Sequence, residues 1–268
     1  MTATDRRADG PVEVTQGGTP LVLGFPHTGT EVPPEIHAAL NETGRALTDT
    51  DWHVHRLFEG LAPGATTVRA TTHRYVIDAN RPPDGASLYP GQATTDLVPL
   101  TDFDGRPLWD EPPDEAEVAR RRGAFHAPYH EALTAQMERV RERHGFAVLH
   151  DCHSIRSRVP RLFEGRLPDL NIGTNDGTTC DPAVEALVRE TCATSPFSSV
   201  VNGRFKGGWT TRHYGRPDEG WHAVQLEIAQ ATHLASEAPP FDHDPARAER
   251  LRPVLREILD RLTHWRPA

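Results

Sequence analysis

Short apolar runs alternate with amphipathic helical patterns along this chain of 268 residues. Residues 20–25, PLVLGF, form a continuous apolar run bounded by turn-forming residues, which is typical of a buried strand. The same kind of pattern predicts further strands over residues 66–70, 74–78, 145–153, 170–174, 198–202 and 222–230. Because helical patterns separate many of these strands, the chain favours an α/β fold.

Residues 54–61 carry apolar side chains at the spacing of one helical face. We predict that this helix begins near Thr48, because Thr48 and Asp51 have the spacing of a capping box. Other helices are predicted over residues 33–40, 114–144, 181–193 and 244–263. Long loops rich in Gly and Pro are predicted over residues 80–113 and 203–220.

These elements predict one α/β domain over residues 1–268, with a mostly parallel mixed sheet and helices on both of its faces. Residues 1–17 are polar and are predicted to form a frayed leader. In sheets of this kind, ligands bind at the carboxyl ends of the strands, so we look for functional residues there.

The formal net charge of −9 disfavours binding to nucleic acid, because an acidic protein repels phosphate backbones. The N-terminal residues lack the apolar segment of a signal peptide, and no apolar run approaches the length of a membrane span. The three cysteines are widely spaced, which fits a reduced, cytoplasmic protein. No obligatory protein partner is indicated.

Histidines and carboxylates stand near the ends of the predicted strands, where a metal ion would bind. His27 follows the first apolar strand, and His153 closes the 145–153 strand. Two imidazoles and one carboxylate bind zinc and leave a fourth position for water. Asp51 lies on the apolar side of its predicted helix and Asp49 on the polar side, so we favour Asp51 as the carboxylate.

Glu227 lies within the 222–230 strand and shares a face with Ala223, Gln225 and Ala229. A carboxylate in the middle of such a strand is unfavourable to bury unless it has a partner or a function. A general base that takes a proton from a metal-activated water fits this position.

Basic residues in the loops are candidates for binding an anionic substrate. Arg81 follows Asn80 in a Pro-rich turn, and a guanidinium binds a carboxylate through two hydrogen bonds. Arg156 and Arg212 are further candidates. Lys206 is the only lysine of the chain, and its flanking glycines suggest a loop that closes over a small anion.

Seven segments, taken in their order along the chain, resemble the N-formylglutamate amidohydrolase (deformylase) family. They are FPHTGTEVP (25–33), LTDTDWHVHRLFE (47–59), ANRPPDGASLYPGQ (79–92), HDCHSI (150–155), DLNIGTNDG (169–177), FKGGWTTRHYGRP (205–217) and VQLEIAQ (224–230). That family is similar in fold to zinc carboxypeptidases and aspartoacylase-like deacylases, so the resemblance implies their mixed sheet flanked by helices.

The resemblance implies one zinc ion per chain, held by His27, Asp51 and His153, although other divalent metals suit such a site. In the larger group the first histidine and the carboxylate are usually three residues apart. Here they are 24 apart (51 minus 27), so Glu31, four residues after His27, is an alternative to Asp51.

The resemblance also implies the roles of the substrate-facing residues. Asn80 and Arg81 would bind a substrate carboxylate, Arg81 would also stabilise the oxyanion, and Glu227 would activate water. The remaining residues assigned to the α- and side-chain carboxylates are Arg156 and Arg212, with Lys206 and Thr210 nearby.

The implied reaction is zinc-dependent hydrolysis of N-formyl-L-glutamate to formate and L-glutamate, the last step of one route of histidine degradation. The partner is then a small dicarboxylate. Two alternatives stay open: a metallo-deacylase or carboxypeptidase for another N-acyl amino acid or a cell-wall peptide, and a zinc-binding sensor without catalysis. Glu227 argues against the sensor, because a binding site needs no general base.

Overall fold

One mixed sheet organises the fold of the computed structural model, which describes residues 6–8, 10–87 and 94–267. Within these residues the sheet has eight strands in the order β1-β2-β4-β3-β5-β8-β6-β7. They are β1 (Arg6–Ala8), β2 (Val12–Thr15), β3 (Leu21–Phe25), β4 (Thr66–Ala70), β5 (Ala147–Ile155), β6 (Leu170–Gly173), β7 (Ser199–Val201) and β8 (Trp221–Ala229). The central strands β4, β3, β5 and β8 are parallel, whereas β2 and β6 pair antiparallel with β4 and β8.

Helices cover both faces of this sheet. They are α1 (Pro34–Ala39), α2 (Glu42–Arg45), α3 (Val54–Phe58), α4 (Glu115–Arg121), α5 (Ala127–His144), α6 (Pro182–Thr194), α7 (Trp209–Tyr214) and α8 (Pro245–His264). A π-helical turn (Arg122–His126) joins α4 to α5, and short 3-10 helices lie at Pro217–Glu219 and Gln230–Thr232. The predicted α/β class, with a mixed sheet flanked by helices, is confirmed.

The two faces of β3 divide the hydrophobic core. Leu21, Leu23 and Phe25 point to the face that α3, α6 and α8 cover, whereas Val22 points to the face that α5 covers. This alternation follows from the period of two along a strand. Both faces are apolar, so β3 reads in sequence as a continuous hydrophobic run. No helix of the described residues has the length and apolar character needed to cross a membrane.

The predicted start of the helix at Thr48 is wrong. The helix begins at Val54, and His53 has a left-handed backbone with φ of 61°. The preceding loop is held by distant side chains instead: Gln230 Nε2 donates to the Thr50 carbonyl at 2.8 Å, and His233 Nε2 hydrogen-bonds the Trp52 carbonyl at 3.0 Å. The capping-box interpretation therefore fails, although the apolar face of residues 54–61 does pack in the core.

The predicted strand over residues 74–78 is also wrong, because these residues form turns. Side chains and backbone groups from other parts of the chain satisfy their polar atoms. Arg121 donates to the Val76 carbonyl at 3.3 Å, and the Asp78 N–H donates to the Leu97 carbonyl at 2.7 Å. Hydrogen bonds to distant parts of the chain thus take the place of the backbone hydrogen bonds that a strand would form with its neighbour.

The leader and loop predictions need two further corrections. Val12–Thr15 is not frayed, because it pairs with β4 along its whole length. The loop predicted over 203–220 contains α7 and a 3-10 helix. In the loop predicted over 80–113, residues 88–93 lie outside the described residues, and the described remainder forms no helix or strand beyond isolated bridges.

Candidate active site

His27, Asp51 and His153 meet at the carboxyl ends of β3 and β5. Asp51 Oδ2 lies 3.0 Å from His153 Nδ1 and 3.8 Å from His27 Nδ1. One ligand atom of each residue falls within 4.8 Å of the other two, and all three side chains are buried. These three residues, which we call the ligand triad, could hold a metal ion.

The fold brings the ligand triad together through neighbouring parallel strands. Gly24 pairs with Asp151, so His27 and His153 emerge from the sheet at similar heights. The Asp51 N–H donates to the His27 carbonyl at 3.0 Å, which ties the 47–53 loop to the end of β3. Asp51 is therefore positioned by the loop backbone and not by a helix face.

The second ring nitrogen of each histidine faces a buried carboxylate. His27 Nε2 lies 2.6 Å from Asp78 Oδ1, and His153 Nε2 lies 3.1 Å from Asp151 Oδ1. A carboxylate in this position favours the proton on Nε2 and directs the Nδ1 lone pair toward a metal. His27 Nδ1 is buried and has no hydrogen-bond partner in the described part of the chain. This unsatisfied atom, beside an imidazole and a carboxylate, fits a divalent cation.

The charges of the ligand triad also favour a cation. Burial, together with the nearby Arg74 guanidinium, lowers the pKa of His27, so its imidazole is neutral. Burial alone would lower the pKa of His153, but the charges and hydrogen bonds of Asp151 and Asp51 outweigh it and raise that pKa well above its ordinary value. A proton on His153 compensates the negative charge of Asp51 and Asp151. A divalent cation bound in the ligand triad would compensate the same charge.

Glu227 stands beside the ligand triad because it is the register partner of His153 on the adjacent parallel strand. Its Oε2 accepts a hydrogen bond of 3.3 Å from Gln225 Nε2, and the side chain lines the same cavity as the ligand triad. Burial raises the pKa of Glu227 to about 8, and the neighbouring His153 and Asp51 act in opposite directions on it. A cation in the ligand triad would lower this pKa.

The cavity above the ligand triad combines these groups with arginines. About 80 Å³ of this cavity is accessible to water-sized molecules. Its polar lining includes Asn80, Arg74, Arg81 and Arg204. A small cavity with several cationic side chains is suited to a small anionic molecule.

Arg74 was missed by the sequence analysis, because it lies among residues predicted to be a strand. Its Nη2 donates to Asp78 Oδ2 at 2.6 Å, so one carboxylate links Arg74 to His27. The Arg74 Nε is buried without a hydrogen-bond partner among the described residues. Asp78, the last residue of the same mispredicted segment, was not identified from the sequence either.

Asn80 and Arg81 line the cavity, as expected from the sequence. Arg81 is held by three hydrogen bonds of 2.8–2.9 Å, two to Thr95 and one to the Asn80 carbonyl. Asn80 Oδ1 accepts from the Thr210 N–H at 2.8 Å, and its Nδ2 lies 3.2 Å from His153 Nε2. The dipeptide is thus fixed between the loop and α7.

The other predicted substrate-binding residues lie off the cavity wall. Thr210 is fully buried behind Asn80, and Arg212 donates from Nε to the Gly207 carbonyl at 2.9 Å. An Arg156 nitrogen lies 3.0 Å from an Asp104 carboxylate oxygen. None of these three is among the described residues that line the cavity.

Lys206 and Glu31 also lie elsewhere. The Lys206 ammonium pairs with Asp176 at 2.9 Å on the partly exposed surface. Glu31 is exposed and accepts a hydrogen bond of 2.9 Å from Thr71 Oγ1. Of the three carboxylates considered from the sequence, Asp49, Asp51 and Glu31, the structure brings Asp51 to the histidines.

Relatives of known identity match nearly the whole chain. An N-formylglutamate deformylase from Pseudomonas aeruginosa is 48% identical over 254 residues, covering 93% of this chain and 95% of the relative. An N-formylglutamate deformylase from Pseudomonas putida is 44% identical, covering 93% and 94%.

Solved structures and a family profile agree with these relatives. An N-formylglutamate amidohydrolase from Ralstonia eutropha JMP134 superposes with a TM-score of 0.81 at 27% identity, covering 95% of this chain and 97% of the other. A protein from Agrobacterium tumefaciens shares the fold, with a TM-score of 0.72 at 19% identity and 94% coverage of both chains. The profile of the N-formylglutamate amidohydrolase family matches residues 19–234. The chain therefore belongs to the N-formylglutamate amidohydrolase family, whose members here are enzymes that hydrolyse an amide.

Proposed function

We propose that this chain hydrolyses N-formyl-L-glutamate to formate and L-glutamate, with one zinc ion held by His27, Asp51 and His153. His27 Nδ1 gives the main support: it is buried without a hydrogen-bond partner among the described residues, and it faces Asp51 and His153 in a cavity shared with Glu227. The names of the two Pseudomonas relatives support the substrate. A zinc ion, when bound, would supply Lewis acidity and lower the pKa of a coordinated water.

Glu227 carries the proton in this proposal. Its carboxylate takes a proton from the attacking water as the oxygen bonds to the formyl carbon, and later gives that proton to the departing nitrogen. The C–N bond breaks, and formate and L-glutamate leave the site. Burial holds the pKa of Glu227 at about 8 in the metal-free site, and a bound cation would lower it, which favours the ionised carboxylate that takes the proton.

Arg74 is the better placed cation for the oxyanion, in place of the Arg81 assignment made from the sequence. Arg74 lines the cavity, Asp78 binds its Nη2, and its buried Nε has no hydrogen-bond partner among the described residues. The Arg81 guanidinium, in contrast, donates to the Asn80 carbonyl and to Thr95. A preorganised donor at the developing negative charge lowers the barrier without reorganisation during the reaction.

Asn80, Arg81 and Arg204 would bind the two carboxylates of the substrate. Arg81 and Asn80 belong to one rigid segment and suit the carboxylate nearest the reacting amide. Arg204 lines the cavity, where its Nε donates to the Leu162 carbonyl at 2.7 Å and its guanidinium lies 5.4 Å from the Phe205 ring centre. Arg204 therefore suits the side-chain carboxylate.

Arg204→Gln tests this assignment. We expect the KM for N-formyl-L-glutamate to rise by about 10- to 100-fold, since a hydrogen bond to a charged group contributes about 1.5–3 kcal/mol. The KM for N-formyl-L-norvaline, which lacks the side-chain carboxylate, should stay within about twofold. Steady-state formate release measures both values.

Arg166→Gln is the matched control, because Arg166 pairs with Asp169 on the surface and does not line the cavity. An equal rise in KM for both substrates in Arg204→Gln would contradict a contact with the side-chain carboxylate.

A further inference from the structure

Two buried histidines on one helix hold the backbone on either side of Asn80. His130 Nε2 hydrogen-bonds the Ala79 carbonyl at 2.8 Å, and His126 Nε2 hydrogen-bonds the Arg81 carbonyl at 2.9 Å. A carbonyl only accepts, so in both bonds the imidazole donates. His126 and His130 line a different cavity from the one that contains the ligand triad.

The π-helical turn explains why the helix can present these side chains. The Ala127 N–H donates to the Arg122 carbonyl five residues back, and Pro128, which follows, has no N–H to donate. His126 ends this turn and His130 lies one helical turn later. Such π-turns within long helices occur frequently at functional sites.

Aromatic packing fixes both imidazole rings. The Trp209 ring centre lies 4.4 Å from that of His130 and 5.5 Å from that of His126. His130 Nδ1 lies 3.1 Å from the Tyr214 hydroxyl, so its second nitrogen is also engaged. Trp209 and Tyr214 belong to α7, the helix next to Asn80. The 79–81 segment is therefore held by the two histidines and by α7, which pack against each other.

We propose that His126 and His130 are positioning residues, which hold Asn80 and Arg81 in the orientation that binds the substrate carboxylate. The inference rests on the proposed function. The Arg81 guanidinium bonds to the Asn80 carbonyl and to Thr95, so a shift of this backbone displaces the guanidinium with it. Loss of either imidazole donor leaves a buried carbonyl unsatisfied and frees the segment to shift.

The test compares His126→Asn with His126→Gln. A glutamine amide reaches the place of the imidazole Nε2 and can still donate to the Arg81 carbonyl, whereas an asparagine amide is too short. We expect His126→Asn to raise the KM for N-formyl-L-glutamate about tenfold while kcat stays within about twofold. His126→Gln should restore a KM within about twofold of the wild type.

His213→Asn is the matched control. His213 stacks on the same Trp209 at 4.5 Å, but no hydrogen bond joins it to residues 79–81 in the described part of the chain. His130→Phe, which removes the other donor and keeps a ring, is a second variant should His126→Asn not fold. It is expected to raise KM similarly.

The outcomes separate the two proposals. Absence of turnover by the wild-type enzyme with zinc bound would overturn the proposed function. Normal wild-type turnover with an unchanged KM in His126→Asn or His130→Phe would overturn the positioning role alone. A rise in KM that His126→Gln fails to reverse, or that His213→Asn shares, would also overturn it, because a general loss of packing would then explain the effect.

Discussion

At the residue scale, the candidate metal site depends on which nitrogen of each histidine is free. Asp78 hydrogen-bonds His27 Nε2, and Asp151 Oδ1 lies 3.1 Å from His153 Nε2; both Nδ1 atoms lie on the side of Asp51. Asp78 also binds Arg74, which makes it the link between the ligand triad and the proposed oxyanion donor. Burial would raise the pKa of Asp78, but Arg74 and His27 outweigh it and hold the pKa well below its ordinary value.

Asp78→Asn is expected to weaken zinc binding by about 10- to 100-fold, because the charge that orients and polarises His27 is lost. Competition with a chromogenic chelator measures the Kd. Asp102→Asn is the control, since Asp102 is an equally buried carboxylate that binds Arg106 and not a histidine. A Kd unchanged in Asp78→Asn would show that His27 is not a ligand.

Glu227→Gln is expected to lower kcat by about 10²- to 10⁴-fold, the usual contribution of a general acid–base group. The substitution keeps the shape of the side chain, so zinc content should remain at one ion per chain. Formate release and metal analysis of the same sample measure both. Retention of more than a tenth of the wild-type kcat would exclude Glu227 as the proton carrier.

The same substitution changes the pH dependence of stability. The pKa of Glu227 is raised from its ordinary value of 4.5 to about 8, so between these values the folded chain keeps a proton that the unfolded chain releases. The unfolding free energy of the metal-free wild type should therefore fall as pH rises through this window, by at most about 1.4 kcal/mol per pH unit from this group.

Glu227→Gln lacks this proton, so its stability relative to the wild type should increase from pH 5 to pH 8. Urea unfolding of both metal-free proteins at several pH values measures the difference. A constant difference across this range would mean that Glu227 is ionised in the fold.

At the element scale, the sequence predicted best where local pattern and tertiary structure agree. β3 is a continuous apolar run, and β5 and β8 begin with mainly apolar residues before their polar ends; all three strands are buried along their whole length. The 48–53 and 74–78 segments were mispredicted because distant groups such as Gln230, His233 and Arg121 bind their carbonyls. Asp51 was accordingly identified through a helix that does not exist there, although its place in the ligand triad follows from the loop.

A substitution at Gly208 tests the contact between α7 and the 79–81 segment. A Cβ at Gly208 would lie 2.2 Å from Asn80 Nδ2, so Gly208→Ala must displace the Asn80 side chain or the start of α7. We expect KM for N-formyl-L-glutamate to rise about tenfold or more, with a loss of stability of about 1–3 kcal/mol from overpacking.

Gly123→Ala is the matched control, because a Cβ in this π-turn meets nothing within 4 Å. Its KM and thermal midpoint should stay close to those of the wild type. If the KM of Gly208→Ala equals that of the wild type, Asn80 does not contribute to substrate binding.

At the scale of the whole molecule, residues far apart in sequence meet because β3, β5 and β8 are adjacent and parallel. His27 follows β3, and His153 and Glu227 lie on β5 and β8, so the rule that ligands bind at strand ends led to these three candidates, which the structure brings together. Which arginines face the cavity could not be predicted the same way. Arg74 and Arg204 line it and Arg156 and Arg212 do not, because loop conformation, not strand register, sets their directions.

The cavity contains several cationic side chains although the chain as a whole is acidic. The chain carries a formal net charge of −9, yet three arginines line the cavity. Such a local concentration of cations attracts a small dianion despite the overall repulsion. Three cationic side chains suit a substrate with two carboxylates better than an N-acyl amino acid that has only its α-carboxylate.

The most direct measurement is formate release from N-formyl-L-glutamate by the purified protein, before chelation, after chelation and after zinc is added back. We predict turnover that disappears on chelation and returns fully when about one zinc ion per chain has bound, with metal analysis at each stage. Turnover that persists in protein shown to be free of metal would contradict the central claim, because the ligand triad would then have no part in the reaction.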